Sequence, residues 1–204
     1  MILCVTGPLA AGKNAVCRLL EAYGFISLDA DKAVHAAIET SAEQILAAFS
    51  AEAFSQHLSL QNEDGSINRR ALVKLLFKKK ELLSVQEKIV YPAVIAEAKR
   101  FIAEDAGRRG EKSRIILNAT VLYKTPELLR LCSRILYVDA PKIIRLVRAV
   151  RRDRLPPGQI LSRFRAQKTL FTEYKKTGVP IIRIKNAGSL KNLEAAIKAI
   201  SALQ

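Results

Sequence analysis

Near the N-terminus, Gly7-Pro8-Leu9-Ala10-Ala11-Gly12-Lys13 follows the pattern G-x-x-x-x-G-K, the frame of a loop that cradles phosphates. In such a loop the backbone N–H groups point inward, and the helix that follows adds the partial positive charge of its N-terminus. Gly7 and Gly12 permit the unusual backbone angles and the close approach, and Lys13 reaches the β- and γ-phosphates as a point charge. The expected nucleotide-binding set is Gly7, Ala10, Ala11, Gly12, Lys13, Asn14 and Ala15. An accident of composition would not place the pattern between an apolar run and an amphipathic segment.

Asn14 stands where such loops carry a Ser or Thr hydroxyl for Mg²⁺. An amide oxygen also ligates a hard cation, although from one atom further out. Two readings stay open at this point: a tolerated ligand, or a site that binds nucleotide and transfers phosphate poorly. Asp29 and Asp31 follow the second apolar run. Two residues apart on an extended segment they project to one side, so that one can hold Mg²⁺ through water while the other accepts a proton from an attacking hydroxyl. Asp31 would also serve as the N-cap of the helix after it. A further carboxylate would normally end the run "RIILN", but Asn118 stands there, so the acids near the metal are expected from the second strand, with Asn14 and Asp29 as its ligands.

These residues need a scaffold with a phosphate loop at the carboxyl edge of a sheet. Strands are expected over Met1–Thr6, Phe25–Leu28, Arg114–Ala119, Arg134–Pro141 and Val179–Gly188. Val16, Leu19, Leu20 and Tyr23 recur at helical spacing after the loop, and Gly24 ends that segment. Helical text fills residues 32–110, with a polar turn at "QNEDGSINRRAL" and a stretch from Ile89 to Ile102 that has Pro92 near its start. The closing helix shows Leu190, Leu193, Ile197, Ile200 and Leu203 on one face. Five strands alternating with helices predict an α/β fold with a parallel sheet flanked by helices.

The 204 residues carry 34 basic and 19 acidic side chains, a net charge of +15 that draws polyanions: nucleic acid, anionic membrane surfaces or small polyphosphates. Much of the excess lies in one tract, where Arg145, Arg148, Arg151, Arg152, Arg154, Arg163 and Arg165 face the single acid Asp153. Only Phe164 interrupts it with an aromatic ring, so base stacking has little support and nucleic acid is a minor alternative. No N-K-x-D guanine signature appears. Cys4, Cys17 and Cys132 have no metal-ligand spacing and read as reduced core thiols, and no segment reads as a leader or membrane span; a cytoplasmic protein is expected.

Beyond the loop, "SLDADKAVHAAIE", "DGSINRRALVKLLF", "KIVYPAVI", "RAVRRDRLPPGQILSRFRAQ" and "IKNAGSLKNL" resemble, in order and spacing, the dephospho-coenzyme A kinases. The resemblance runs over essentially the whole chain. It implies a P-loop kinase with a nucleotide-binding core (residues 1–31 and 111–204), a helical substrate domain (32–110) and an arginine-rich lid (142–168). The implied reaction moves the γ-phosphate of ATP to the ribose 3′-hydroxyl of dephospho-coenzyme A, with ATP and Mg²⁺ as cofactors and a monomer or weak homo-oligomer as the working form. By motif matching, Asp31 takes the base position, Lys13, Arg148 and Arg163 serve the transferring phosphate, and Asp29, Asp31, Arg69 and Gln167 fall on the substrate side. The chain departs from the family's usual residues at Asn14, His35, Tyr91, Asn118, Thr120 and Lys124, and has Pro8-Leu9-Ala10-Ala11 where glycines are common. A P-loop kinase of altered substrate or low activity, or a nucleotide-dependent nucleic-acid-binding module, is the alternative.

Overall fold

The computed structural model describes residues 1–153 and 156–200, without the side chains of Phe77, Lys78, Lys80 and Asp153. Arg154 of the basic tract and Leu203 of the closing helix therefore lie outside the described residues, as do two side chains of the Lys78-Lys79-Lys80 run. The chain packs as two compact units, Met1–Asp29 with the chain from Phe101 onward, and Ala30–Arg100.

The larger unit is built on five parallel strands: β1 (Ile2–Thr6), β2 (Ile26–Asp29), β3 (Ile115–Asn118), β4 (Arg134–Asp139) and β5 (Ile181–Lys185), in the order β2-β3-β1-β4-β5. The near-continuous apolar runs of β1, β3 and β4 follow from this, because a strand inside a parallel sheet is covered on both faces. The first helix, α1 (Lys13–Glu21), lays Val16, Cys17 and Leu20 on the sheet, where they meet Leu3, Ile116 and Leu136. Leu20 is wholly buried, which stabilises the fold by about 2 kcal/mol.

The smaller unit holds α2 (Ala30–Thr40), α3 (Ala42–Ser55), α4 (Arg69–Lys78) and most of α5 (Lys80–Arg109). Ile45, Phe49, Leu72, Leu75, Val90 and Val94 form its core. Asn68 caps α4, its side-chain oxygen accepting from the Ala71 N–H at 3.1 Å. The expected helical stretch from Ile89 proves to begin at Lys80, so Pro92 lies in the interior of a 30-residue helix and not near its start. A proline removes one helix hydrogen bond, a loss that the flanking turns and their packed apolar face absorb.

The sequence placed the unit boundaries at 31/32 and 110/111; in the structure they fall at 29/30 and 100/101. The helix α2 starts directly after β2, and the last turns of α5 are tied to the larger unit: Asp105 accepts from Arg109 and Ser113, and Arg109 also donates to the Gly24 carbonyl at 2.7 Å. The rest of the larger unit comprises α6 (Pro126–Leu129), α7 (Lys142–Asp153), α8 (Pro157–Ala166), α9 (Leu170–Lys175) and α10 (Leu190–Lys198). On α10, Leu193 and Ile197 are buried with Ile200 beyond it, whereas Leu190, expected on the same face, is 64% exposed. Among the described residues no helix is long and apolar enough to cross a membrane.

Candidate active site

The loop between β1 and α1 leaves the sheet at its carboxyl edge, the place where open α/β sheets hold ligands. Gly7 (φ 147°) and Gly12 (φ 101°) both need glycine: a Cβ on Gly7 would strike the Val138 carbonyl, and one on Gly12 the Asn186 amide. Between them the Pro8 carbonyl accepts from the Ala11 N–H at 3.1 Å, closing a turn in which Ala10 has φ 59°. Gly12 then starts α1 with no side-chain cap, so the first N–H groups of the helix keep their donors for an anion. Lys13 folds back over the loop, its Nζ donating to the Gly7 carbonyl at 3.1 Å.

A cavity of about 470 Å³ opens on this loop. Ala10, Gly12, Lys13, Asn14 and Ala15 line it together with Arg18, Arg148, Arg152, Asn186 and Gly188. Lys13, Arg18, Arg148 and Arg152 are cationic and no carboxylate lines it among the described residues, so the cavity selects a polyanion. Arg148, on α7, donates to the Asn186 backbone carbonyl at 3.2 Å, and the buried Asn186 amide donates to the Ala11 carbonyl at 2.8 Å. Reading the sequence did not single out Asn186 as a site residue. Its only signal was its place within "NAGSL", just beyond the fifth strand.

The metal side differs from a hydroxyl-and-carboxylate arrangement. Asn118 Nδ2 donates to Asn14 Oδ1 at 3.0 Å, and the buried Asn118 Oδ1 has no partner among the described residues. Asp29 lies beside Asn118 in register at the end of β2. The ligand atoms that Asn14 and Asp29 offer are oxygens, and Asn14 Oδ1 keeps a lone pair, so the residue types fit a hard divalent cation.

The two aspartates do not share an extended segment. Asp29 is the last residue of β2 and Ala30 the first of α2, so the strand alternation that would put Asp29 and Asp31 on one side does not apply. Nor is Asp31 an N-cap; it lies inside the first turn of α2, where a carboxylate is favoured by the helix dipole. A helix that starts without a loop after the strand causes both corrections.

In the smaller unit, Arg69 opens α4 and stands 4.0 Å from Glu39. With His35, Leu72, Leu76 and Gln86 it lines an apolar cavity of about 290 Å³ within that unit. Arg163 is exposed on α8 and is not among the residues lining the loop cavity. Gln167, expected on the substrate side, accepts from the Leu9 N–H at 2.7 Å. Thr120 closes β3's exit, its carbonyl accepting from the Thr6 and Tyr174 hydroxyls; Lys124 follows in a short 3₁₀ turn, and Tyr91 lies on α5. Cys4, Cys17 and Cys132 are buried, and burial pushes the Cys17 thiol up to about 11 and that of Cys132 to about 12, which makes them inert core residues.

The family profile described as Dephospho-CoA kinase matches residues 1–192. A dephospho-CoA kinase of Treponema denticola is 36% identical over 95% of this chain and 86% of its own length, and that of Treponema pallidum 34% identical over 96% and 92%. A crystal structure of a Thermus thermophilus protein, 30% identical, superposes with a TM-score of 0.75 over 99% of this chain and 96% of that one. The loop, the sheet order and these likenesses agree: the chain belongs to the dephospho-CoA kinase family.

Proposed function

We propose that this protein transfers the γ-phosphate of ATP to the ribose 3′-hydroxyl of dephospho-CoA, giving CoA and ADP. The observation that carries the reading is the cation-lined cavity on a left-handed phosphate loop, in a chain of this family. The loop N–H groups and Lys13 bind the β- and γ-phosphates, and Arg148 adds a cation at the rim of the same cavity. Arg163, in the tract assigned as a lid over residues 142–168, supplies a second guanidinium when that tract closes. The smaller unit holds the acceptor through Arg69 and its apolar cavity.

The 3′-oxygen forms its bond to the γ-phosphorus as the bond from that phosphorus to the β–γ bridging oxygen breaks. Asp31 takes the hydroxyl proton, and the electron pair leaves with ADP. Asn14 and Asp29 would hold Mg²⁺, which when bound neutralises charge on the phosphates. The working form in this reading is a monomer or a weak homo-oligomer. We place the protein in the cytoplasm, a compartment suited to its three buried thiols.

Incubation with ATP, Mg²⁺ and dephospho-CoA should yield CoA, identified by its mass, at a catalytic rate; ATP binding with no product would overturn the acceptor assignment. Asp31→Asn should still bind ATP and lose turnover by about 10³-fold. Near-normal turnover in that variant would remove Asp31 from the base position.

A further inference from the structure

Two side chains from outside the phosphate loop converge on one of its residues. The Leu9 carbonyl accepts from Arg145 Nε at 2.9 Å, and the Leu9 N–H donates to Gln167 Oε1 at 2.7 Å. Arg145 lies near the start of α7, is 7% exposed, and rests its guanidinium 4.2 Å from the centre of the Phe164 ring on α8. Gln167 is the residue that ends α8. Leu9 and Ala10 pack against Ala149, Ile160 and Phe164, and the Phe164 ring is the one that Arg145 covers. Burial works against the Arg145 cation, and the Asp139 carboxylate works for it.

The residue after Leu9 is the strained one. Ala10 has φ 59°, a left-handed conformation that glycine takes freely and that an L side chain resists. Such a conformation persists where its surroundings over-determine it. Here both backbone hydrogen-bonding groups of the preceding residue are held, and the Pro8–Ala11 turn closes around it.

We propose that Arg145 and Gln167 are positioning residues that clamp Leu9 and thereby hold Ala10 in the left-handed conformation in which the loop receives the nucleotide. The proposal rests on the loop being the nucleotide site. It gives Gln167 a role at the phosphate loop in place of one at the acceptor. It also explains how a loop without glycine at positions 9–11 keeps a turn that glycine would take unaided.

Titration with ADP, with no acceptor present, tests this. Gln167→Met keeps the side-chain volume and removes the acceptor atom; ADP should bind about tenfold more weakly, and the Leu9 and Ala10 amides should exchange hydrogen faster. Adding Ala10→Gly should return the affinity to within about threefold of Ala10→Gly alone, because glycine takes the turn without the clamp. Arg145→Met should show the same loss and the same rescue, and serves if one single variant is too unstable to titrate. Unchanged ADP affinity in Gln167→Met, or a loss that Ala10→Gly does not recover, overturns the clamp; unchanged affinity with a raised KM for the acceptor would return Gln167 to the substrate. ADP binding is read without transfer. A protein that shows the clamp but forms no CoA would therefore lose the acceptor assignment alone.

Discussion

The two ends of the parallel sheet are built on opposite terms. At the start of the strands polar groups are tied to one another: Asp105 accepts from Arg109 at 2.7 Å and from Ser113 at 2.7 Å, Arg109 also donates to the Gly24 and Arg114 carbonyls, and the N-terminal ammonium donates to the Ser113 carbonyl at 2.6 Å. At the carboxyl end the loop runs through left-handed residues, Asn118 keeps a buried oxygen without a partner among the described residues, and four cations line one cavity. Strain, an unmet acceptor and concentrated like charge all cost stability, and a bound polyanion relieves the last of these. One end of the sheet therefore holds the fold and the other waits for its ligand.

That contrast predicts different losses from the two ends. The largest belongs to the loop: Lys13→Met should lower phosphoryl transfer by about 10³-fold while the urea midpoint stays close to that of the parent. A large fall in the midpoint would show that the lysine holds the fold as well as the phosphates.

At the other end, Asp105→Asn should leave the turnover of folded protein intact and cost about 2 kcal/mol of stability, read by urea unfolding. The Arg109 hydrogen bond, followed by that of Ser113 against the opposing pull of burial, holds the Asp105 carboxyl below the usual carboxylate range. A lowered folded-state value makes its contribution complete above the unfolded value of about 4, and the contribution is lost as pH falls through the folded one. The stability curves of parent and variant should therefore converge in acid. A gap that persists unchanged to low pH would remove the ionic part of this account.

The smallest effect is expected where the two asparagines meet. Asn14→Ser should lower the Mg²⁺ concentration for half-maximal rate about threefold, and combining it with Asn118→Asp should give a non-additive change, since the two amides share a hydrogen bond. An unchanged Mg²⁺ requirement would show that Asn14 is as good a ligand as the hydroxyl.

Much of the site was legible because its chemistry is local. Gly7, Gly12 and Lys13 act through the backbone path of one short loop, and their spacing alone announces it. The helical boundaries were less legible: α2 begins directly after β2, and no residue type marks a helix that starts without a loop. Asp31 was read onto a strand for that reason. Pro92 similarly drew a helix start to itself, although long-range packing carries α5 through it.

Sequence by itself determined the phosphate loop, the parallel α/β sheet and the family, because each rests on short-range patterns: glycine spacing, apolar runs and their alternation with helices. Only the tertiary structure decided what holds that loop. Arg145 and Gln167 meet Leu9 across 136 and 158 residues, Asn186 reaches Ala11 across 175, and Asn118 meets Asn14 across 104. No periodicity encodes such contacts. They exist because the fold brings distant segments to the carboxyl edge of the sheet, where each polar side chain meets a polar group of the loop or of α1.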